Sequence, residues 1–448
     1  MYTFYPFGEK RLQIRGLKSS ELYSALYPLL EKSFTRSKES RVFYRLHQER
    51  PHAPSWKFSR VGLIDGKIVA HVGIWPFDMQ LVDGVVLKCG GIRDVCTDPA
   101  LRKQKLGHQM LDDATRFMEN EGLDLSVLYA GPRHFYEEKG WHGSVPEYKF
   151  KVNLGAIDDS MQSTIDLVQM TGYDEHLVDE MCKIRNESSK DLTFFVIRDD
   201  SYFHRLIRTD FDFPEEGWTP YIVRERATGS CLGYLLGSIE EPSTMSIAEA
   251  RVSTDESDST YLAIFRALKT LGCSSLELQL SPNHAICKVA AKLARIEDWS
   301  SAASGVMVKF VSLERFFTKL VEAINVQVRN GKRAEVLQAI SQRTCLQLTV
   351  CPEENQCEGS QEFIIDVDPN PDGMEFVRIL HHDSMQEGAN TASITISEEM
   401  LVTFLFAPSL STSEAIEDGM LHSEDVDPAI VDLLFKGLSW DKERRDYF

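Results

Sequence analysis

The stretch Ile92 to Leu111, IRDVCTDPALRKQKLGHQML, constrains this chain most, because it reads as a β-strand running into a helix with a basic entrance. Ile92, Val95 and Cys96 form the end of an extended segment, and Pro99 stops it. Leu106, Met110, Leu111, Ala114, Phe117 and Met118 then recur at helical spacing. Gly122 suits the position just past a helix, where left-handed backbone is common. Arg102, Lys103, Gln104 and Lys105 therefore stand at the helix entrance. Unpaired backbone N–H groups and the positive dipole end favour an anion such as phosphate there, and cationic side chains add to the same field.

The register P-x-x-R-x-x-x-x-G, with a strand before it and an apolar helix after, resembles the acetyl-CoA pyrophosphate loop of the GNAT N-acetyltransferases, usually (R/Q)-x-x-G-x-(G/A). Arg102 takes the first position and Gly107 the last, while Lys105 stands where the first glycine is expected. A lysine there still offers its N–H to phosphate if its φ is negative, although its Cβ crowds the approach. Further on, RHFYEEKGW (Arg133 to Trp141) resembles the F-Y-x-x-x-G-(F/W/Y) segment of the same family, whose tyrosine lies beside the thiol of CoA. Pro132 suits a first helical position and Gly140 a C-terminus.

The resemblance implies a GNAT fold and acetyl-CoA as co-substrate. It assigns Val95, Cys96 and Thr97 to the acyl-pantetheine arm, in a split between the Ile92 strand and a parallel strand over Leu123 to Tyr129. Arg102, Lys103, Gln104, Lys105, Leu106 and Gly107 would face the pyrophosphate. Tyr136 would be the general acid for the departing thiolate, and backbone N–H groups near Val95 and Cys96 would stabilise the oxyanion.

Length sets the scale, since 448 residues imply about three domains at roughly 150 each. A hydrophobic fraction of 43% with 26% charged residues is ordinary for soluble globular domains. No apolar run approaches the roughly 20 residues of a membrane span, and MYTFYPFGEKR lacks a signal peptide's pattern. Nine scattered cysteines without a paired framework point to a reducing cytoplasm. Cys345, Cys351 and Cys357 are spaced suggestively, but no CxxC or HxxxH completes four ligands, so no metal is expected. His381 and His382 beside Asp383 lack a constellation too.

The net charge of −19 is uneven: Glu353 to Phe448 holds 22 acidic against 5 basic residues, a balance of −17. Such a segment repels nucleic acid and anionic membranes and attracts cations, or simply confers solubility.

Along the chain, Leu17 to Arg50 reads as two amphipathic helices, and VGLIDGKIVAHVGIWPFDMQLVDGVVLKCGGIRDV as three strands joined at Asp65-Gly66 and Asp83-Gly84. Between Val152 and Leu313 the pattern partly repeats, yet STDESDSTYL (Ser253 to Leu262) is acidic and lacks the R-x-x-x-x-G arrangement. This second unit reads as a degenerate GNAT domain without CoA. Beyond it, FVSLERFFTKLVEAI reads as a helix, followed by strands at Cys345 to Cys351, Glu362 to Val367, Phe376 to Leu380 and Ala392 to Ile396. ISEEMLVTFLF is a further helix with Ser397 as N-cap.

The last part resembles the sterol-carrier-like domain of one GNAT subgroup, the "enhanced intracellular survival" acetyltransferases, known for acetylating aminoglycosides and other polyamines. The expected architecture is α/β (α+β), with a catalytic GNAT domain over 1–151, a degenerate one over 152–312 and a sterol-carrier-like domain over 313–448. In that subgroup the terminal carboxylate reaches the acetyltransferase site, which makes the carboxylate of Phe448, ending RRDYF, the candidate base. The expected partner is a small cationic amine, not nucleic acid or membrane, and assembly as a homo-oligomer stays open. Two other readings stand beside this one: a non-catalytic binder of acyl-CoA or an apolar ligand, and a protein-lysine acetyltransferase.

Overall fold

Strand alternation and two Asp-Gly turns set the first sheet. The protein is seen in a computed structural model that describes residues 3–7, 10–34, 56–143, 145–158, 163–190, 192–212, 218–241, 243–253, 257–293, 295–303, 305–353, 358–371, 373, 375–380, 390–406, 415, 421–424 and 426–435. Strands β1 (Thr3–Phe7), β2 (Lys10–Gly16), β3 (Arg60–Ile64), β4 (Lys67–Val82) and β5 (Val85–Thr97) form an antiparallel run. Asp65 and Gly66, both at positive φ, turn β3 into β4, and Gly84 does the same between β4 and β5. Of the helices expected over Leu17 to Arg50, the first is α1 (Tyr27–Phe34), led in by a π-helical turn; residues 35–50 lie outside the described set.

Helix α2 (Leu106–Asn120) follows β5 and buries Leu106, Met110, Leu111, Ala114 and Met118, the apolar face expected from their spacing. Gly122 takes φ 77 just past its end. Strand β6 (Leu125–Tyr129) then returns parallel to β5, and helix α3 (Arg133–Glu137) comes next.

The following strand changes sheet. β7 (Pro146–Asn153) pairs in a second sheet built with β8 (Ile165–Gln169), β10 (Thr219–Glu225), β11 (Cys231–Glu241), β12 (Thr244–Val252), β13 (Ser275–Leu278) and β14 (Arg295–Ala303). Helices α4 (Glu175–Ser188), α5 (Asp200–Asp212), α6 (Ser257–Thr270) and α7 (Ala285–Leu293) belong to the same stretch of chain. β12 and β13 form its parallel pair, as β5 and β6 do in the first sheet. Two strands from beyond β7 go the other way. β9 (Phe195–Ile197) pairs with β4, and β15 (Val306–Phe310) pairs with β6. The two sheets are thus laced together by exchanged strands.

Helix α8 (Leu313–Arg329) buries Leu313, Phe316, Phe317, Leu320, Val321 and Ile324, the face that its spacing marks out. That face packs in one continuous core between the first sheet and a third, of β16 (Thr344–Cys351), β17 (Gln361–Val367), β18 (Val377–Leu380), β19 (Asn390–Ser397) and β20 (His422–Glu424). Asp124, almost wholly buried, anchors the helix start by accepting from Lys319 Nζ at 2.5 Å. Helix α9 (Glu398–Phe406) begins as expected, with Ser397 Oγ accepting the Met400 N–H at 3.2 Å.

Candidate active site

The parallel pair β5 and β6 is joined from Cys89 opposite Leu125 to Ile92 opposite Leu128, after which β5 runs on alone to Thr97. On its other side β5 is paired to β4 at Arg93 opposite Gly73 and again at Cys96 opposite His71, so Asp94 and Val95 bulge out opposite Val72. Asp94 carries the left-handed φ of 49 that this bulge demands. Beyond the last pair a cavity of about 510 Å³ opens. Val95, Cys96 and Thr97 form one wall, and Pro132, Phe135 and Tyr136 another.

The mouth of the cavity is the entrance of α2, lined by Leu101, Arg102, Lys103, Lys105, Leu106, Gly107 and His108. The helix ladder starts with the Gln109 N–H on the Lys105 carbonyl at 3.1 Å. The N–H groups of Leu106, Gly107 and His108 therefore precede the ladder and suit an anion, with the helix dipole behind them. Lys103 and Lys105 adopt left-handed φ of 63 and 59, and Lys105 is the N-cap. A negative φ was the condition under which a lysine at the loop glycine's place offers its N–H to phosphate. The structure instead keeps the glycine-like conformation at Lys105, at a cost of about 1 kcal/mol.

Helix α1 closes the side. Its Ser33 carbonyl accepts from Arg102 Nη2 at 2.9 Å, and Lys32 Nζ meets Asp98 at 2.6 Å. That lysine holds the Asp98 carboxyl below its usual range. Gly107 has a packing reason for lacking a side chain, because a Cβ there would stand 2.8 Å from Phe135 Cζ. Contact between α2 and α3 at this point seats the Phe135 ring 4.7 Å from that of His108 and 5.0 Å from that of Tyr136. Burial pushes the Tyr136 phenol, already protonated at neutral pH at its ordinary value, up to about 12. Cys96 is pushed up to about 12 by the same cause, which makes it an inert wall thiol and not a nucleophile.

Of the residues singled out from sequence, Val95, Cys96, Thr97, Arg102, Lys103, Lys105, Leu106, Gly107 and Tyr136 meet at this one cavity. Gln104 is exposed on the loop and does not line it. Phe448, His381 and His382 lie outside the described residues. Sequence reading missed Ser33 and Phe34, which sit far away in the chain and carry no signal of their own. It also missed His108, whose place in the first turn of a helix with an anion-facing entrance was the available clue.

A family model described as an acetyltransferase (GNAT) domain matches residues 13–143. No curated protein matches the sequence. Among solved structures, a GCN5-related N-acetyltransferase from Anabaena variabilis superposes with a TM-score of 0.67 at 13% identity, covering 98% of this chain and 100% of its own. A probable N-acyltransferase from Enterococcus faecalis gives 0.67 at 14% identity with the same coverage. Eis1 from Mycobacterium abscessus gives 0.63 at 11% identity, again over 98% of this chain and 100% of that one. At these identities the likeness is one of fold, and it extends over nearly the whole chain.

Proposed function

We propose, on the premise that residues 13–143 are a GNAT acetyltransferase domain and draw an acyl group from acyl-CoA, that this protein moves acetyl from acetyl-CoA to an amine of a small cationic molecule. The observation that carries the proposal is the coincidence of parted parallel strands with a basic, anion-favouring helix entrance at one cavity. The acetyl thioester supplies the acyl group. Every other task falls to the chain.

Arg102, Lys103 and Lys105 supply positive charge, and the first N–H groups of α2 supply directed donors, for the pyrophosphate. Val95, Cys96 and Thr97 line the path of the pantetheine arm, and the Val95 N–H faces the charge that develops on the thioester oxygen, whereas Cys96 is paired with His71 on β4. Tyr136 gives its hydrogen bond to the leaving sulfur. A phenol, protonated at neutral pH, stabilises the developing thiolate whether or not the proton crosses.

The amine must lose a proton, and we assign that task to the Phe448 carboxylate. A cationic acceptor is favoured by the balance of −17 from Glu353 onward, which draws cations toward that part of the chain. We divide the chain at about 151 and 312 into a catalytic unit, a unit that holds no cofactor and a sterol-carrier-like unit. A cytoplasmic site of action fits the eight described cysteines, all free thiols. None of the described helices is long and apolar enough to cross a membrane.

The test is product mass spectrometry after incubation with acetyl-CoA and a mixed panel of polyamines, aminoglycosides and lysine peptides. Acetylated small cations are expected. Acetylation confined to peptides, or binding of CoA without any product, would replace this reading with one of its rivals.

A further inference from the structure

His71 is a buried imidazole that the mechanism above leaves unused. It is 0% exposed and sits on β4, opposite Cys96 and at the edge of the β5 bulge. Its Nδ1 lies 2.9 Å from the carbonyl oxygen of Asp94. A carbonyl only accepts, so Nδ1 carries the proton and Nε2 is the bare nitrogen. Among the described residues, buried Nε2 has no hydrogen-bond partner. Burial also lowers the ring's pKa, so it stays neutral.

Asp94 is the residue whose conformation the bulge strains. Its φ of 49 costs about 1 kcal/mol for a residue with a Cβ, and something must hold it there. Two contacts do. Arg93 grips the Asp94 carboxylate with Nε at 3.0 Å and Nη2 at 2.9 Å, while His71 holds the carbonyl. The next residues along, Val95 and Cys96, are wall residues of the cavity.

We propose that His71 is a positioning residue: its Nδ1–H fixes the Asp94 carbonyl, and so the bulge that aims the Val95 N–H at the thioester carbonyl. This rests on the donor assignment made above. The imidazole neither touches the substrate nor exchanges a proton. It sets the direction of the Val95 N–H, which shares a peptide unit with the Asp94 carbonyl and points the opposite way.

The experiment is an infrared measurement of the carbonyl band of carbonyl-13C acetyl-CoA bound to the wild type, to His71→Leu and to His71→Asn, with affinities and melting temperatures taken alongside. In the wild type the band should move to lower frequency than in free acetyl-CoA, as donors polarise the bond. His71→Leu should bind with an affinity within about twofold yet lose most of that shift, with kcat down at least about tenfold. His71→Asn places an amide N–H near the Nδ1 position and should keep most of the shift.

A wild-type band that stays at its free position would refute the donor assignment, and the role of His71 with it. A wild-type shift that survives intact in His71→Leu would overturn the role of His71 alone. Equal loss in both variants would mean that the imidazole is filler, and would also overturn it. Should His71→Leu fail to fold, the imidazole 15N spectrum of the wild type decides. Protonated Nδ1 with bare Nε2 supports the clamp, and the opposite tautomer refutes it.

Discussion

The parallel pair β5 and β6 and the parallel pair β12 and β13 are one motif met twice, and they differ in what lies beyond the last paired residues. Past Ile92 and Leu128 the strands part around a cavity of about 510 Å³. Past Ile247 and Leu278 the same place is filled with charge. Arg251, as far beyond Ile247 as Cys96 is beyond Ile92, places Nη1 3.0 Å from His284 Nε2, just before α7. Its guanidinium lies 5.4 Å from the centre of the Phe195 ring. Glu249, wholly buried beside it, accepts from Arg198 Nη1 at 2.7 Å and from the Tyr234 hydroxyl.

The helix entrances differ in sign as well. α2 is approached through Arg102, Lys103 and Lys105, whereas α6 has Asp258 in its first turn. An acid there stabilises the helix and repels phosphate. The lesson is that this topology supplies a place for a cofactor but does not by itself make one. Leaving the gap open and giving its mouth a positive field are separate acts of the sequence.

The comparison can be broken at four points, in falling order of effect. Glu249→Ala removes the buried carboxylate that pairs with Arg198 and Arg185, which should cost roughly 3–5 kcal/mol. Thermal unfolding should show a large fall in Tm, while the folded fraction binds acetyl-CoA as before; a lost affinity at unchanged Tm would make the second unit part of the cofactor site. Next, Tyr136→Phe removes only the hydroxyl, and kcat should fall by roughly 100-fold with acetyl-CoA binding retained. Full turnover would reduce that ring to packing.

Arg102 is exposed, so Arg102→Glu loses a screened contact and gains a repulsion, about 2 kcal/mol or near 30-fold in KM for acetyl-CoA. An unchanged KM would take the loop out of the site. The smallest change is expected for Lys105→Gly. A glycine relieves the left-handed strain at φ 59 but adds freedom to the unfolded chain, so stability should move by less than about 1 kcal/mol, with acetyl-CoA affinity down only by the few-fold that one exposed, screened charge supplies. A large loss of affinity would instead make the Lys105 ammonium a phosphate ligand.

Much of this was legible in the residues. The face of α2 followed from the recurrence of Leu106, Met110, Leu111, Ala114 and Met118, and that of α8 from Phe316, Phe317, Leu320 and Ile324, because helical burial repeats at a fixed interval. The Asp-Gly turns and the Ser397 cap were readable because their chemistry is local. Strand exchange was not. A period of two tells which side of β7 or β15 is buried, but says nothing about which neighbour it pairs with. The basic helix entrance was likewise visible, but the left-handed turns at Lys103 and Lys105 and the contributions of Ser33 and Phe34 come from tertiary packing. His71 was invisible for the same reason, as its partner is a backbone carbonyl on the next strand.

The most direct test of the central claim, that the first parallel pair holds the cofactor and the second does not, is calorimetric titration of the full chain with acetyl-CoA. One site per chain is predicted, weakened by Arg102→Glu and unaffected by Arg251→Lys. Two sites per chain, or a single site lost in Arg251→Lys and intact in Arg102→Glu, would contradict it.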